Sequence, residues 1–466
     1  MITNSNPILD TDSYKTSHYR QFPPGTQSMF SYIASRGGLF DKTLFFGLQP
    51  ILQDLTQRIT LQHVDEAEAF CADHGVPFPR SGWEYIVRDL DGRLPVRIRA
   101  LPEGSIVPTH TPLVTVESTD PRHFWAVGWV ETKLMRVWYP TTVATLSWHA
   151  KQVIKAALKA TADDTSGLPF KLHDFGSRGV SSRESAALGG AAHLVNFQGS
   201  DTIEGVLCAN RAYGFSSMYK GPRMAGFSIP AAEHSTITSW GREHEVDAYD
   251  NMLTQFAKPG AIVACVSDSY DLMHAIDALW GGVLREKVIA SGATLVVRPD
   301  SGDPVQIVRE TLMRLDARFG HTVNTKGFKV LNHVRVIQGD GVNMQSITDI
   351  LRDAALRGFS AENLAFGMGG ALLQGVNRDT QKFAMKCSSI TVDGQERDVF
   401  KDPVTDPGKR SMPGRLDVLR TGEFYRIERL DAERTSVDGS AMQTVFENGK
   451  VLVHHYLDEV RARSEA

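Results

Sequence analysis

At 466 residues, 42% hydrophobic and 22% charged, the chain is long enough for two or three domains' worth of core or one large α/β domain with extensions. A formal net charge of −4 excludes the global positive field that binding to nucleic acid or an anionic membrane would use. No apolar run approaches a membrane span, and Met1 to Asp12 lacks the apolar stretch of a secretion signal. Cys71, Cys208, Cys265 and Cys387 show neither metal nor disulfide spacing, so a cytoplasmic protein with small core cysteines is expected.

The N-terminal stretch TDSYKTSHYRQFPPG is dense in aromatic and basic residues and is expected to pack against something. Residues 50–59 predict a helix opened by Pro50, and residues 95–118 predict strands and hairpins around a Pro-Glu-Gly turn. Apolar residues at i, i+3 and i+4 predict helices over 124–138 and 143–159. From about residue 161 the pattern becomes strand-then-helix. Short strand-like segments at 170–175, 194–197, 227–229, 261–266, 294–297, 334–337 and 363–366 each lead into glycine, polar or charged residues. Capping signals follow at 181–184, 201–204 and Asp303-Pro304. Beyond Arg378 the texture returns to β: a strand over 383–392, a basic loop KDPVTDPGKR over 401–410, and a hairpin signal at Glu447-Asn448-Gly449-Lys450.

Seven polar strand ends in succession predict an α/β fold. The expected form is an irregular, TIM-like β/α barrel over 161–379, with a discontinuous mixed α+β domain built from 1–160 and 380–466. The clearest unit is TLVVRPDSGDP, a strand at 294–297 that delivers Arg298, Asp300, Ser301 and Asp303 to one rim. Gly369 and Gly370, between a strand and a helix, can turn backbone N–H groups toward an anion, and Arg298, Arg378, Lys386 and the 401–410 loop can neutralise several phosphate charges. Asp201, Asp268, Asp300 and Asp340 on the same rim need cations or a polyhydroxylated ligand to satisfy them. A phosphorylated sugar bearing a Mg²⁺-bound diphosphate suits that mixture, whereas the alternative for any single Arg, Lys or Asp is a solvated surface role.

The motifs TDSYKTSHYRQFPP, HDFGSRGVSSRESAALGGAAHLVNFQGSDT, IPAAEHSTITSWG, VSDSYD, RPDSGDP, RVIQGDGV, AFGMGGALLQ and KDPVTDPGKRS closely resemble those of the type II phosphoribosyltransferases that use nicotinamide, in the same order along nearly the whole chain. The resemblance implies transfer of a phosphoribosyl group from 5-phosphoribosyl 1-pyrophosphate to nicotinamide in NAD salvage, by a homodimer with active sites at the subunit interface. It also implies Mg²⁺ and ATP as a facultative co-substrate. Phe175 and a partner-derived Tyr14 would stack on the pyridine ring, Asp201 would read its carboxamide, and Ser228 would be a further substrate-binding residue. Arg298, Asp300, Gly339 and Asp340 would hold the ribose, and Gly369, Gly370, Arg378 and Lys386 the 5′-phosphate. Arg36, Arg178, Arg298, Lys401 and Lys409 would face the diphosphate. His234 would accept a phosphoryl group from ATP, Asp300 and Arg298 would act at the reacting centre, and no protein metal ligand is identified. Ala264 and Ala384 stand where the family pattern has serine. Nicotinate as the substrate, or a non-catalytic sensor of NAD-related nucleotides, are the competing readings.

Overall fold

A computed structural model describes residues 6–405, 410–431 and 434–465. The chain forms two compact units: residues 1–145, 211–221 and 377–466 make the first, and residues 146–210 and 222–376 the second. The division falls inside the long helix Trp138–Thr161.

The first unit is organised on a seven-stranded antiparallel sheet. Its central pair joins the two chain ends: Thr26–Ala34 runs against Ala384–Val392, with Tyr32 opposite Lys386 and Ala34 opposite Ala384. One face of the sheet is covered by an apolar core that includes Phe45, Trp83, Trp125, Trp129, Ile98 and Phe446. The expected hairpin is present, with Asn448 and Gly449 both at positive φ between Gln443–Glu447 and Lys450–Val451, the geometry a two-residue turn between twisted strands requires. The helix expected at 50–59 is Leu48–Asp54, with Pro50 in its first turn, and the one expected at 124–138 is broken into Ala126–Trp129 and Glu131–Met135.

The second unit holds a six-stranded parallel sheet in the order Gly199–Ser200, Leu172–Asp174, Leu364–Met368, Val334–Gln338, Thr294–Arg298, Ile262–Val266. Helices follow the strands, as parallel connections demand. Asp303 caps Pro304–Phe319 by accepting the Gln306 N–H, and Ser182 caps Arg183–His193 by accepting from Ser185. Two expected strands are not strands. Leu194 to Phe197 completes the end of the Arg183–His193 helix, and residues 227–231 form isolated bridges, Phe227 with Gly199 at one sheet edge and Ala231 with Ala264 at the other. The Ser200 N–H donates to Phe227 O at 3.0 Å and the Ala264 N–H to Pro230 O at 3.0 Å, so a single segment spans both edge strands. Among the described residues no helix is long and apolar enough to cross a membrane, and all four cysteines are free.

Candidate active site

The C-terminal ends of the parallel strands surround a cavity of about 570 Å³ lined by Phe175, Arg178, Asp201, His234, Arg298 and Asp300 among others. A second, more apolar cavity of about 590 Å³ shares Phe175, Asp201 and Arg298 with it and continues between the strands past Ala264, Val296 and Ile337. Polar chemistry at the mouth and an apolar slot behind it suit a ligand with a charged part and a flat part.

Phe175 leaves its strand with its N–H on Met368 O (3.0 Å), and its ring lies against Ala264, Val296 and Ile337. The ring crosses directly over Gly367, where a Cβ would sit 2.0 Å from Phe175 Cε2, so glycine there is a requirement of the close approach. Asp201 accepts a short hydrogen bond from Ser228 Oγ, and its backbone N–H is held by Asp174 O at 2.9 Å. A Cβ on Gly339 would contact Asp300 Oδ1 (3.2 Å), Arg298 Cδ and Phe175 Cε2 (3.7 Å each), which locates the Gly339 turn among the three. Asp340 follows it, its carbonyl accepting from Gln338 Nε2 at 2.7 Å.

His234 opens the short helix His234–Thr238. Its Nδ1 lies 3.1 Å from Ser269 Oγ, while Nε2 faces Asp300 Oδ2 at 3.4 Å and Asp268 Oδ1 at 3.7 Å. Asp268 also accepts from the Asp300 N–H (2.9 Å) and from Ser301 Oγ (2.5 Å), so one buried carboxylate ties the histidine to the RPDSGDP turn. Arg298 Nη2 reaches Asp300 at 3.3 Å, yet its Nε is buried without a hydrogen-bond partner, a donor that an anionic ligand can satisfy. Gly369 and Gly370 begin the turn Gly370–Leu373, and Gly370 approaches Gly179, next to Arg178, so that a Cβ on Gly179 would be 3.5 Å away.

The structure therefore brings Phe175, Arg178, Asp201, Ser228, His234, Arg298, Asp300, Gly339, Asp340, Gly369 and Gly370 into the second unit, at one end of one sheet. Tyr14, Arg36, Arg378, Lys386 and Lys401 belong to the first unit. Four of these form a cationic group: burial, then the charges of Arg36, Lys401 and Arg378, hold the Lys386 ammonium below its ordinary pKa, with Glu131 opposing. Arg36 Nε donates to Lys382 O at 3.1 Å, and Arg378 pairs with Asp379 at 3.1 Å. Tyr14 is 59% exposed, edge-on to His18 at 4.9 Å. Lys409 lies outside the described residues. Asp268, Ser269 and Ser301 are site residues to which motif reading gave no role, although VSDSYD at a strand end marked the first two.

Residues 170–450 match the nicotinate phosphoribosyltransferase family, and residues 6–98 match the nicotinamide phosphoribosyltransferase N-terminal domain. The chain is 59% identical to a nicotinamide phosphoribosyltransferase of Xanthomonas campestris, covering 99% of this chain and 98% of that one. It is 32% identical to the enzyme of the same name from Acinetobacter baylyi, over 98% and 97% of the two chains. Among solved structures it shares its fold with a nicotinate-nucleotide pyrophosphorylase of Pyrococcus furiosus (TM-score 0.59, 17% identity, 100% and 96% of the chains) and with human nicotinic acid phosphoribosyltransferase (TM-score 0.59, 16% identity, 98% and 93%). The chain belongs to the nicotinate phosphoribosyltransferase family and, within it, to the nicotinamide phosphoribosyltransferases.

Proposed function

We propose that this chain joins nicotinamide to 5-phosphoribosyl 1-pyrophosphate, releasing nicotinamide mononucleotide and pyrophosphate. The observation that carries the reading is the meeting of an aromatic slot, an amide-reading carboxylate and an Arg298–Asp300 pair at one cavity. In this reading the ring nitrogen attacks C1 of the ribose, so no protein nucleophile is needed. Phe175 lies along the ring. Asp201, turned by Ser228, accepts from the carboxamide NH₂ and repels the carboxylate of nicotinate. Asp300 offsets the positive charge that develops at C1 as the diphosphate departs, and Arg298 with Arg178 receives the departing charge.

Mg²⁺ enters in this reading as the counter-ion of the substrate diphosphate. His234 Nε2, flanked by two carboxylates while Nδ1 is occupied by Ser269, is the nitrogen we assign to phosphoryl transfer from ATP. Gly369 and Gly370 offer backbone N–H groups to the 5′-phosphate, and the cluster of Arg36, Arg378, Lys386 and Lys401 supplies further phosphate neutralisation. The exposed Tyr14 supports a homodimer in which it caps the ring in the partner's site. The bridged sheet edges support an irregular β/α barrel, and the free cysteines support a cytoplasmic location.

Incubation with nicotinamide, phosphoribosyl pyrophosphate and Mg²⁺, with and without ATP, tests the reading. Nicotinamide mononucleotide and pyrophosphate should form in equal amounts and ATP should raise the yield. Ligand binding without pyrophosphate release would support a sensor instead.

A further inference from the structure

Asp174 is fully buried one residue before the stacking phenylalanine, and no ion pair reaches it among the described residues. A carboxylate in such a position is costly unless it serves a purpose. Its Oδ1 accepts the Gly176 N–H at 2.7 Å, its backbone carbonyl accepts the Asp201 N–H at 2.9 Å, and its Oδ2 is buried without a well-formed hydrogen bond, the Thr202 hydroxyl being the nearby polar group that favours its charge. The roof over it is backbone: a Cβ on Gly190 would lie 3.3 Å from Oδ2 and 2.8 Å from Gly205 Cα, where the helices Arg183–His193 and Ile203–Ala212 cross. One residue thus holds both the loop that carries Phe175 to Arg178 and the turn that carries Asp201.

We propose that Asp174 is a positioning residue whose ionised carboxylate fixes the Phe175 loop beside the Asp201 turn, which its backbone carbonyl holds, and so sets the affinity for the nicotinamide ring. The inference rests on the assignment of Phe175 and Asp201 to that ring. A charge-assisted bond to the Gly176 N–H is stronger than a neutral one, so protonation of Asp174 loosens the loop. Burial, with repulsion from Asp201 adding to it, lifts the carboxyl to about 6, while the Gly176 N–H and the Thr202 hydroxyl pull the other way. The remaining neighbours carry no competing charge. The first helix presents Gly190, with its His193 kept neutral by burial between Ser147 and Leu172 O, the second presents Gly205 and Thr202, and Leu373 packs on Gly176. His173 points to the opposite face of the strand, into the apolar cavity.

Nicotinamide binding by calorimetry, without ATP, tests this between about pH 8 and about pH 5.5, a range that brackets the Asp174 transition. Wild-type affinity should fall as pH drops through about 6. Asp174→Asn keeps the acceptor but loses the charge, and should bind nicotinamide about tenfold more weakly at the upper pH, with the Asp174 break gone. Its phosphoribosyl pyrophosphate KM should stay at the wild-type value, and its thermal midpoint at the upper pH should be no lower than wild type, which a merely structural role would not give. Thr202→Val removes the hydroxyl that favours the ionised form and should move the break to higher pH. Wild-type affinity and profile in Asp174→Asn, or an unmoved break in Thr202→Val, overturns the proposal. Should Asp174→Asn fail to fold, the Thr202→Val arm decides alone. Wild-type protein that neither binds nicotinamide nor forms its mononucleotide marks instead the failure of the functional reading beneath it.

Discussion

At Gly367 a single hydrogen in place of a side chain is what lets the Phe175 ring pass over the strand end. Gly367→Ala should displace the ring and raise the nicotinamide KM by about tenfold or more, because a clash of that depth cannot relax within one rotamer. Steady-state kinetics with each substrate varied in turn will show whether the loss is confined to nicotinamide. Asp201→Ser should narrow the preference for nicotinamide over nicotinate, read as the ratio of kcat/KM for the two bases; an unchanged ratio would remove Asp201 from the amide-reading role. His234→Ala should abolish the gain in product yield from ATP and the transfer of label from γ-labelled ATP to the protein. Phe175, Asp201, Arg298 and Asp300 were legible because each sits in a long motif at a strand end. Asp268 was visible only as one more rim acid. Its role depends on spatial reach to His234 across 34 residues of chain, which linear spacing does not encode. Asp174 lay hidden for a different reason: alternation along a strand shows which residues point away from the cavity, but not that two glycines roof the one that does.

Elements with a strong local signal appear where periodicity puts them. Thr294–Arg298 and Pro304–Phe319 follow directly from a β-branched run, Asp303 as cap and Pro304 in the first turn. The failures are as instructive. Leu194 to Phe197 looks like a strand because three of its four residues are apolar, yet all four are buried at a helix end, where Leu194 N–H donates to Gly190 O and Phe197 N–H to His193 O. The neighbouring strand that does form is Gly199–Ser200, two residues with almost no β-propensity, recruited by the flanking sheet. Continuous apolar runs cannot separate these cases. The same crossing offers an element-scale test. Gly205→Ala gains helix propensity of about 1 kcal/mol but places a methyl 2.6 Å from Gly190 Cα. Urea denaturation should show a net destabilisation of about 1–3 kcal/mol, since the backbones must part. A stabilised variant would mean that the helices can separate freely.

For the molecule as a whole, acid is the predicted weakness. Burial, aided for His455 by Arg463, drops His193 to about 3 and His455 to about 4, against 6.5 for the free side chain. The unfolded chain therefore takes up protons that the fold refuses, and stability falls as pH drops from 6.5 toward 4. Asp174, gaining its proton near 6 in the fold, works the other way with the buried carboxyls Glu103 and Glu245, while His18 and His173, also lowered by burial, add to the two histidines. Thermal midpoints measured across this range should decline, and a His455→Gln variant should decline less steeply. The proposed dimer has its own signature. Mixing Tyr14→Ala with Phe175→Ala protein and allowing exchange should restore about a quarter of wild-type activity, because half the dimers would be mixed and each would contain one intact site. No recovery would place both residues in sites served by a single chain. The segment 227–231 bridges both sheet edges and also carries Ser228, the hydrogen-bond donor to Asp201. Closing the seam and completing the proposed amide reader are then a single event. On that reading a nascent or partly opened chain should lack specificity as well as strength, and nicotinamide should protect this stretch from proteases before it protects any helix.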